Sequence, residues 1–333
     1  MRKQRQPRSS QGHTRNCLND LIDTQGFAII DGALATELER HGADLDDPLW
    51  SARCLMEAPE LITRVHRDYL EAGADIILSA TYQASEAGFR SRGLKPGEAR
   101  DLMRLGVRLA RDERDRHLRR TTRLNARPRP LVAASLGPYG ACQHDGSEYH
   151  GRYPASWREV QAFHAARLDV LADSGADLLA FETIPSRPEA EGIADLLAAQ
   201  DGPPAWVSFS CRNDVEVSHG EPLAECLAAL DHHPRIVAAG INCTAPRHLG
   251  PLLQSVAGSE LTLIVYPNSG ETWVSGENRW RGEGNADFDV EGWYRAGARA
   301  IGGCCRTGPD QIRQIRAALT RAAELSGPPG RHG

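Results

Sequence analysis

The stretch Ser174-Gly175-Ala176-Asp177-Leu178 joins a helical run to an apolar run that continues to Thr183, and this junction decides the fold. Similar junctions stand at Ala72-Gly73-Ala74-Asp75-Ile76 and at Ala296-Gly297-Ala298-Arg299-Ala300. In each of them a glycine falls where a helix would end, and a left-handed helix cap favours glycine there. The echo therefore predicts a repeated unit of helix followed by strand.

Eight short apolar runs alternate with longer amphipathic runs along the chain, which is the pattern of parallel βα units. The predicted strands are Phe27 to Asp31, Asp75 to Thr81, Leu131 to Gly137, Leu178 to Thr183, Ala205 to Cys211, Ala238 to Cys243, Leu261 to Asn268 and Ala300 to Cys304. The predicted helices are Pro59 to Ala72, Glu98 to Arg119, Trp157 to Ser174, Pro188 to Ala199, Pro222 to Asp231, Pro246 to Val256, Val290 to Ala296 and Asp310 to Leu325. We expect the α/β fold class and a single (β/α)8 TIM barrel rather than an open doubly wound sheet, because eight units in about 250–300 residues are typical of the closed barrel.

The composition of the 333 residues, with 41% hydrophobic and 25% charged residues and a net charge of -5, is that of a soluble globular protein. No basic cluster is interleaved with aromatic residues, which argues against a nucleic-acid surface. No apolar run approaches the roughly 20 residues that span a bilayer. The first residues lack the apolar stretch of a secretory signal, so we expect a cytoplasmic protein. The sequence does not indicate the oligomeric state.

Three regions are expected along the chain. Residues 1–16 are polar and basic and should form a disordered tail. Residues 17–325 should form the barrel domain, and residues 326–333 a flexible tail.

Polar and thiol residues follow the predicted strands at their carboxyl ends, where packing alone would favour Val, Ile or Leu. The active sites of (β/α)8 barrels are built at that face. The residues there are Asp31-Gly32, Thr81-Tyr82, Gly137-Pro138, Glu182-Thr183, Ser210-Cys211, Asn242-Cys243, Asn268-Ser269 and Cys304-Cys305. We therefore expect the functional site at this end of the barrel.

Cys243, Cys304 and Cys305 stand out among the eight cysteines because they end two of these strands. Zinc binds thiolate sulfur at about 2.3 Å, and three protein ligands leave a fourth position for water or substrate. Successive side chains on a strand point to opposite faces, but Gly302 and Gly303 permit the backbone to bend so that both neighbouring sulfurs face one ion. Alone, Cys243 would be a buried core residue, and the tandem pair would be core or a redox pair. Together the three predict a Zn²⁺ site at the carboxyl-terminal face of the strands.

The sulfur-rich ligand set also predicts the chemistry of the site. A zinc ion held by three thiolates is electron-rich and is a weak Lewis acid toward water. It is suited to binding a substrate thiol as its thiolate, which stays nucleophilic at neutral pH. Such a sulfur could attack an electrophilic carbon, most simply a methyl group.

Gly240-Ile241-Asn242-Cys243 followed by Gly302-Gly303-Cys304-Cys305 resembles the hallmark of the zinc-dependent homocysteine S-methyltransferases. The similarity spans roughly residues 25 to 320. It implies a (β/α)8 barrel in which Zn²⁺ is bound by Cys243, Cys304 and Cys305, with homocysteine sulfur in the fourth position. Other segments are similar to the bacterial and plant branch that uses S-methylmethionine: Asp31-Gly32-Ala33-Leu34-Ala35-Thr36-Glu37-Leu38, Thr81-Tyr82-Gln83-Ala84, Gly137-Pro138-Tyr139-Gly140, Phe181-Glu182-Thr183-Ile184-Pro185 and Tyr266-Pro267-Asn268-Ser269-Gly270-Glu271.

The resemblance also implies the substrate-binding residues. Asp31 and Gly32 would hold the amino-acid end of homocysteine, and Glu182 would pair with its ammonium unless it forms an ion pair with an arginine instead. The neighbouring residues expected to contact substrate are Thr81, Thr183 and Asn268. In the implied reaction the zinc-bound homocysteine thiolate takes the methyl group of S-methylmethionine in line, giving two methionines.

The methyl donor is a sulfonium cation, so its pocket should offer aromatic faces and acceptor groups. Two segments supply candidates: Glu148 and Tyr149 within Tyr139 to Tyr153, and Glu271 and Trp273 within Asn268 to Trp280. The chain has neither a Gly-x-Gly-x-x-Gly loop nor a P-loop, which favours S-methylmethionine over S-adenosylmethionine. The motif Asp31-Gly32-Ala33 has alanine where betaine-using relatives carry a second glycine, which argues against betaine as the donor.

Two alternatives remain open from the sequence. One is a thiol or selenol methyltransferase that uses S-adenosylmethionine or another donor. The other belongs to a different class, a zinc-binding or redox-sensing protein without catalysis. The second would not need an amino-acid pocket at Asp31 and Glu182.

Overall fold

A computed structural model of the chain describes residues 16–45, 49–121, 127–143, 145–274, 279–282, 284 and 287–326. The tails predicted at residues 1–16 and 326–333 lie almost wholly outside these ranges. The strands are β1 (Ala28–Ile29), β2 (Ile76–Leu78), β3 (Leu131–Leu136), β4 (Leu178–Ile184), β5 (Ala205–Phe209), β6 (Ile236–Asn242), β7 (Thr262–Tyr266), β8 (Thr272–Val274), β9 (Arg279–Arg281) and β10 (Ala298–Ile301). The α-helices are α1 (Cys17–Gln25), α2 (Leu34–Arg40), α3 (Cys54–Glu57), α4 (Pro59–Ala72), α5 (Glu86–Arg90), α6 (Pro96–Thr121), α7 (Trp157–Leu171), α8 (Arg187–Ala198), α9 (Leu223–Ala228), α10 (Leu249–Ser255), α11 (Val290–Arg295) and α12 (Pro309–Ser326).

Eight parallel strands form one sheet in the order β1-β10-β7-β6-β5-β4-β3-β2. A parallel bridge between Ile30 and Ile76 joins the two outer strands of this order. Across the same join, Asp31 N donates to Ile76 O at 3.0 Å and Asp75 N donates to Ile29 O at 2.8 Å. The sheet closes on itself, which confirms the predicted (β/α)8 barrel over the open sheet.

The repeated junctions mark the amino-terminal edge of the barrel. Their glycines all have the left-handed backbone, with φ of 106° at Gly73, 81° at Gly175 and 105° at Gly297. The Asp75 carboxylate accepts a hydrogen bond from Ile29 N at 3.0 Å, and the Asp177 carboxylate accepts one from Val132 N at 2.8 Å. The repeated sequence junctions therefore end helices and join neighbouring strands. They lie at the end of the barrel opposite the thiols.

The apolar side chains fall into two layers, one between the sheet and its helices and one inside the barrel. The inner layer contains small residues together with Trp206 and Tyr266, whose rings pack edge to face at 6.4 Å. Leu18 and Leu21 of α1 belong to the inner layer, and Asn19 accepts a hydrogen bond from the first residue of β7. Helix α1 therefore covers the amino-terminal end of the barrel.

The structure differs from the predicted elements mainly at the carboxyl ends of the strands. Strand β3 ends one residue before its prediction and β10 ends three residues before Cys304, because the chain turns there into loops. Helices α1, α2, α3 and α5 and the β8–β9 hairpin are additional to the predicted units. Among the described helices none is long and apolar enough to span a membrane.

Candidate active site

The structure brings together the three cysteines singled out in the sequence. Cys243 comes directly after β6, and Cys304 and Cys305 follow β10 on the other side of β7. The three sulfur atoms lie within 4.8 Å of one another, and the Cys243 and Cys305 sulfurs are 3.5 Å apart. Cys243 is buried, with 7% of its surface exposed, and the other two are partly buried.

A turn after β10 presents the tandem pair. The Cys304 carbonyl accepts hydrogen bonds from Thr307 N at 3.0 Å and from Thr307 Oγ1 at 2.6 Å. A Cβ atom on Gly302 would lie 2.5 Å from Ile30 O, and one on Gly303 would clash with the Thr307 side chain. Both glycines lack a positive φ. They are required because the backbone passes too close to its neighbours for any side chain, and the bend itself comes after them.

Asn242 and Asn268 bond two of the residues with strained backbone at this end of the barrel. Thr183 and Cys243 have φ of 62° and 46°, and such left-handed backbone is costly for residues with a side chain, above all a β-branched one. The Asn242 amide accepts from Thr183 N and donates to Thr183 Oγ1, both at 2.7 Å. Asn268 donates to Cys243 O at 3.4 Å. Asn242 and Asn268 therefore brace the backbone that carries the first thiol.

The thiols do not ionise equally by themselves. Hydrogen bonds from the Cys304 and Cys305 thiols lower the pKa of Cys243 well below its ordinary value, although burial opposes the shift. The pKa values of Cys304 and Cys305 are raised, first because each shares its proton with Cys243. A bound metal cation would favour the deprotonated form of all three thiols.

The donor set fits a soft divalent metal ion. A tetrahedral ion with metal–sulfur bonds of about 2.3 Å would place its sulfur ligands roughly 3.8 Å apart, within the spread that the three cysteines already have. The Tyr149 hydroxyl lies 3.8 Å from the Cys243 sulfur.

Two carboxylates lie close to the thiols, at the ends of β1 and β4. Asp31 accepts a hydrogen bond from Leu78 N at 2.9 Å through one oxygen, and its other oxygen is buried without a partner in the described part of the chain. Glu182 accepts a hydrogen bond from the Ser135 hydroxyl. Burial raises the pKa of Asp31 well above its ordinary value. Burial, and then the nearby Cys304 sulfur, raises the pKa of Glu182 to about 8. The arginine partner that the sequence left open for Glu182 does not occur among the described ion pairs.

Gly32 and Thr81 occupy structural positions at the same face. A Cβ atom on Gly32 would lie 2.6 Å from Thr307 O, so this glycine lets the turn with the tandem cysteines pack against the end of β1. The Thr81 hydroxyl donates to Ser135 O at 2.7 Å and lies 2.6 Å from the Ser79 hydroxyl. The Thr81 hydroxyl is thus used in hydrogen bonds within the protein, between the loop after β2 and strand β3.

The segment from Tyr139 to Tyr153 follows β3, and its first and last residues are both bonded by Glu189 of α8. The Glu189 carboxylate accepts from Tyr139 N and from the Tyr153 hydroxyl, each at 2.8 Å, and bonds His164 at 2.8 Å. Sequence reasoning missed Glu189 because a buried acid inside a helix has no local signal of its role. The Trp273 side chain, a donor candidate from the sequence, lies outside the described residues.

Arg167 of α7 is a second positioning residue that the sequence does not reveal. Its side chain is 1% exposed, and its guanidinium lies 4.9 Å from the centre of the Phe163 ring. It donates hydrogen bonds of 2.7–3.0 Å to the carbonyl oxygens of Thr81, Tyr82, Ala84 and Gly137. One buried cation therefore ties together the loops that follow β2 and β3.

Comparison with known proteins adds an independent line of support. The family model for homocysteine S-methyltransferase matches residues 28–319. Homocysteine S-methyltransferase 4 from Zea mays is 49% identical over 310 residues, covering 89% of this chain and 90% of its own length. Selenocysteine Se-methyltransferase from Brassica oleracea var. italica is 46% identical, covering 92% of each chain.

Crystal structures of the homocysteine methyltransferase MmuM from Escherichia coli are similar to most of this chain. Its metallated form matches with a TM-score of 0.80 and 44% identity, covering 91% of this chain and 99% of that chain. Its oxidized form matches with a TM-score of 0.82 at the same identity and coverage. By the extent of the family match and the identity to these relatives, this chain belongs to the homocysteine S-methyltransferase family.

Proposed function

We propose that this methyltransferase transfers the methyl group of S-methylmethionine to the sulfur of homocysteine, giving two methionines, with Zn²⁺ bound by Cys243, Cys304 and Cys305. One observation carries the proposal: three sulfurs within 4.8 Å of one another stand beside two buried carboxylates. Within the described residues neither Asp31 nor Glu182 forms an ion pair. A site this rich in anionic groups suits a metal dication and the ammonium group of an amino-acid substrate.

Zinc bound by three thiolates would keep a substrate thiol deprotonated yet nucleophilic at neutral pH. Glu182 would pair with the homocysteine ammonium, which lets a carboxyl group in a buried position ionise. The second Asp31 oxygen offers a further acceptor to the same ammonium, beside the close-packed backbone at Gly32. These contacts would orient the substrate sulfur toward the thiol cluster.

The methyl transfer needs no acid or base from the protein. The homocysteine thiolate forms a bond to the methyl carbon while the carbon–sulfur bond of the sulfonium breaks, and the electron pair stays on the departing sulfur as a neutral thioether. An anion and a cation combine, so charge is dispersed in the transition state. The buried surroundings of Cys243 and Glu182, which are 7% and 6% exposed, keep water away from the reacting atoms.

Turnover assays with several methyl donors test the proposal. The purified protein should form methionine from homocysteine fastest with S-methylmethionine, and slowly or not at all with S-adenosylmethionine or betaine. Two methionines should appear for each homocysteine consumed, and a methyl label on the donor should be retained in the products. Activity with S-adenosylmethionine far above that with S-methylmethionine would overturn the donor assignment.

Selenol methylation is the second candidate, because one close relative is named for it. The same assay with selenocysteine in place of homocysteine separates the two acceptors. A higher kcat/KM for selenocysteine would make the selenol the principal acceptor.

Glu182→Gln should weaken homocysteine binding about a hundredfold, because removing one charge of a buried pair costs on the order of 2–4 kcal/mol. The KM for homocysteine should rise while bound metal stays the same, since Gln keeps the size and the Ser135 hydrogen bond. A homocysteine analogue without the amino group is the control, and its affinity should hardly differ between variant and wild type. An unchanged KM for homocysteine would remove Glu182 from the amino-acid pocket.

A further inference from the structure

The segment that carries Glu148 is held firmly at the barrel mouth. Glu189 anchors its two ends, and a Cβ atom on Gly140 would clash with the Glu148 backbone nitrogen, so the segment folds tightly on itself. Tyr149 follows directly and its hydroxyl lies 3.8 Å from the Cys243 sulfur. These contacts fix the backbone at Glu148 next to Tyr149, which reaches the thiol cluster.

One oxygen of the Glu148 carboxylate lacks a partner among the described residues. Its Oε2 atom is buried and makes no hydrogen bond to any described group. Its charge raises the pKa of the Tyr82 hydroxyl and opposes the lowering of the pKa of the Cys243 thiol, so Glu148 lies near both groups. Burial raises the pKa of Glu148 to about 7, and the charged side chain that adds to this shift, Asp145, is an anion. A buried carboxylate without a cation in the protein is suited to a cation supplied by a ligand.

The other acidic candidate at the barrel mouth is already occupied. Glu271 accepts from Arg306 Nε at 3.0 Å and from the Ser269 hydroxyl at 2.8 Å. Asp31 and Glu182 lie on the homocysteine side in the proposed function. Within the described residues, Glu148 forms no ion pair, keeps one unpartnered oxygen and has no role in the proposed homocysteine site.

We propose that Glu148, flanked by the Tyr82 and Tyr149 rings, is the anionic group that binds the positively charged sulfonium sulfur of the methyl donor. The inference rests on the proposed function for its ligand and adds the residue that recognises it. The sulfonium must lie next to the homocysteine sulfur for transfer, which puts it beside Cys243 and Tyr149. Aromatic faces and a carboxylate are the groups that stabilise such a cation away from water.

This role has a kinetic signature, because the sulfonium loses its positive charge as the methyl group departs. The attraction to Glu148 is therefore stronger in the bound donor than in the transition state. Removing it should raise the KM for the donor without lowering kcat. A residue that only supports the fold would lower kcat and change the KM for both substrates.

Binding to the metal-loaded protein without homocysteine gives the direct test. Calorimetry compares S-methylmethionine with methionine, which has the same amino-acid end and a neutral sulfur. In Glu148→Gln the affinity for S-methylmethionine should fall at least about tenfold and that for methionine by less than about twofold. Equal losses for both ligands would assign Glu148 to the ammonium group, and no loss for either would exclude it from the pocket. Both results would overturn the proposal.

Asp145→Asn is the matched control, since it removes one charge from the same loop at an exposed position. Asn can still accept the hydrogen bond from Ser147 N that Asp145 accepts at 2.9 Å. The affinity for the donor should stay within about twofold of wild type. A loss as large as that in Glu148→Gln would mean that any negative charge in this loop attracts the donor, and it would contradict a specific contact with Glu148.

The test also separates this inference from the donor assignment. If the wild-type protein uses S-adenosylmethionine and not S-methylmethionine, the donor assignment fails. Glu148 is then tested with S-adenosylmethionine against its neutral thioether product. Selective loss of the sulfonium ligand supports the inference, and an equal loss or no loss contradicts it.

Discussion

Replacement of Cys243, Cys304 or Cys305 by Ala should reduce methyl transfer to background and remove most of the bound metal. Each variant leaves two sulfurs where three converge within 4.8 Å, and two thiolates hold a zinc ion far less tightly than three. The fold should survive because the cysteines lie in turns after β6 and β10 and are not buried members of the two apolar layers, although Cys304 packs against the inner layer. Metal analysis, turnover and thermal unfolding of metal-free samples measure the three effects separately.

Cys54→Ala is the matched control for the loss of a thiol. Cys54 is a free cysteine packed in the layer between sheet and helices, away from the cluster. This variant should keep its metal content and kcat, even if it is somewhat less stable. Full activity in any one of the three cluster variants would remove that cysteine from the ligand set.

Arg167→Met should destabilise the protein by about 3–5 kcal/mol and should also impair methyl transfer. The substitution leaves the carbonyl groups of Ala84 and Gly137 without their described donor and removes one of two donors from those of Thr81 and Tyr82, and unpaired buried polar groups are costly. Lys should rescue only part of the loss, because a single ammonium cannot reproduce the fork of a guanidinium. Denaturant unfolding gives the change in stability. KM values for both substrates show whether the loops after β2 and β3 still form the substrate site.

Arg235→Met provides the comparison that separates positioning from stability. Arg235 is also buried and donates to the carbonyl oxygens of Leu197, Gln200 and Pro203, but it precedes β6 at the opposite end of the barrel. Both variants should lose stability, and only Arg167→Met should also change the KM values. Equal kinetic effects from the two would mean that Arg167 acts through global stability alone.

The barrel and the cluster were predictable because both depend on local patterns. Alternation of apolar and amphipathic runs indicates parallel βα units, and eight of them in a chain of this length are typical of a closed barrel. Parallel strands all end at one face, so residues as far apart in sequence as Cys243 and Cys304 can be expected together from strand ends alone. The glycine junctions and the strand bodies of β3 to β7 follow the prediction closely.

The missed elements show where pattern reasoning fails. Helix α1 has only nine residues, and it is ordered by packing Leu18 and Leu21 into the barrel end rather than by helical propensity. The predicted ends of β3 and β10 lie beyond the observed ends, because the glycines that follow, Gly137 and Gly302-Gly303, carry no side chain that marks where pairing stops. Only the register of neighbouring strands shows where pairing stops.

By itself the sequence determined the fold class, the face that carries the site and the three candidate ligands, since periodicity and strand ends are local properties. Tertiary structure alone decided which polar groups are left unpaired at that face. Glu271 and Glu148 are equivalent in the sequence, yet Arg306 neutralises one and no described residue bonds Oε2 of the other. Likewise Arg167 and Glu189 acquire their roles only when loops distant in sequence meet their side chains. The burial of a side chain and its hydrogen-bond partners depend on the whole folded chain, because desolvation is set by every group that surrounds an atom.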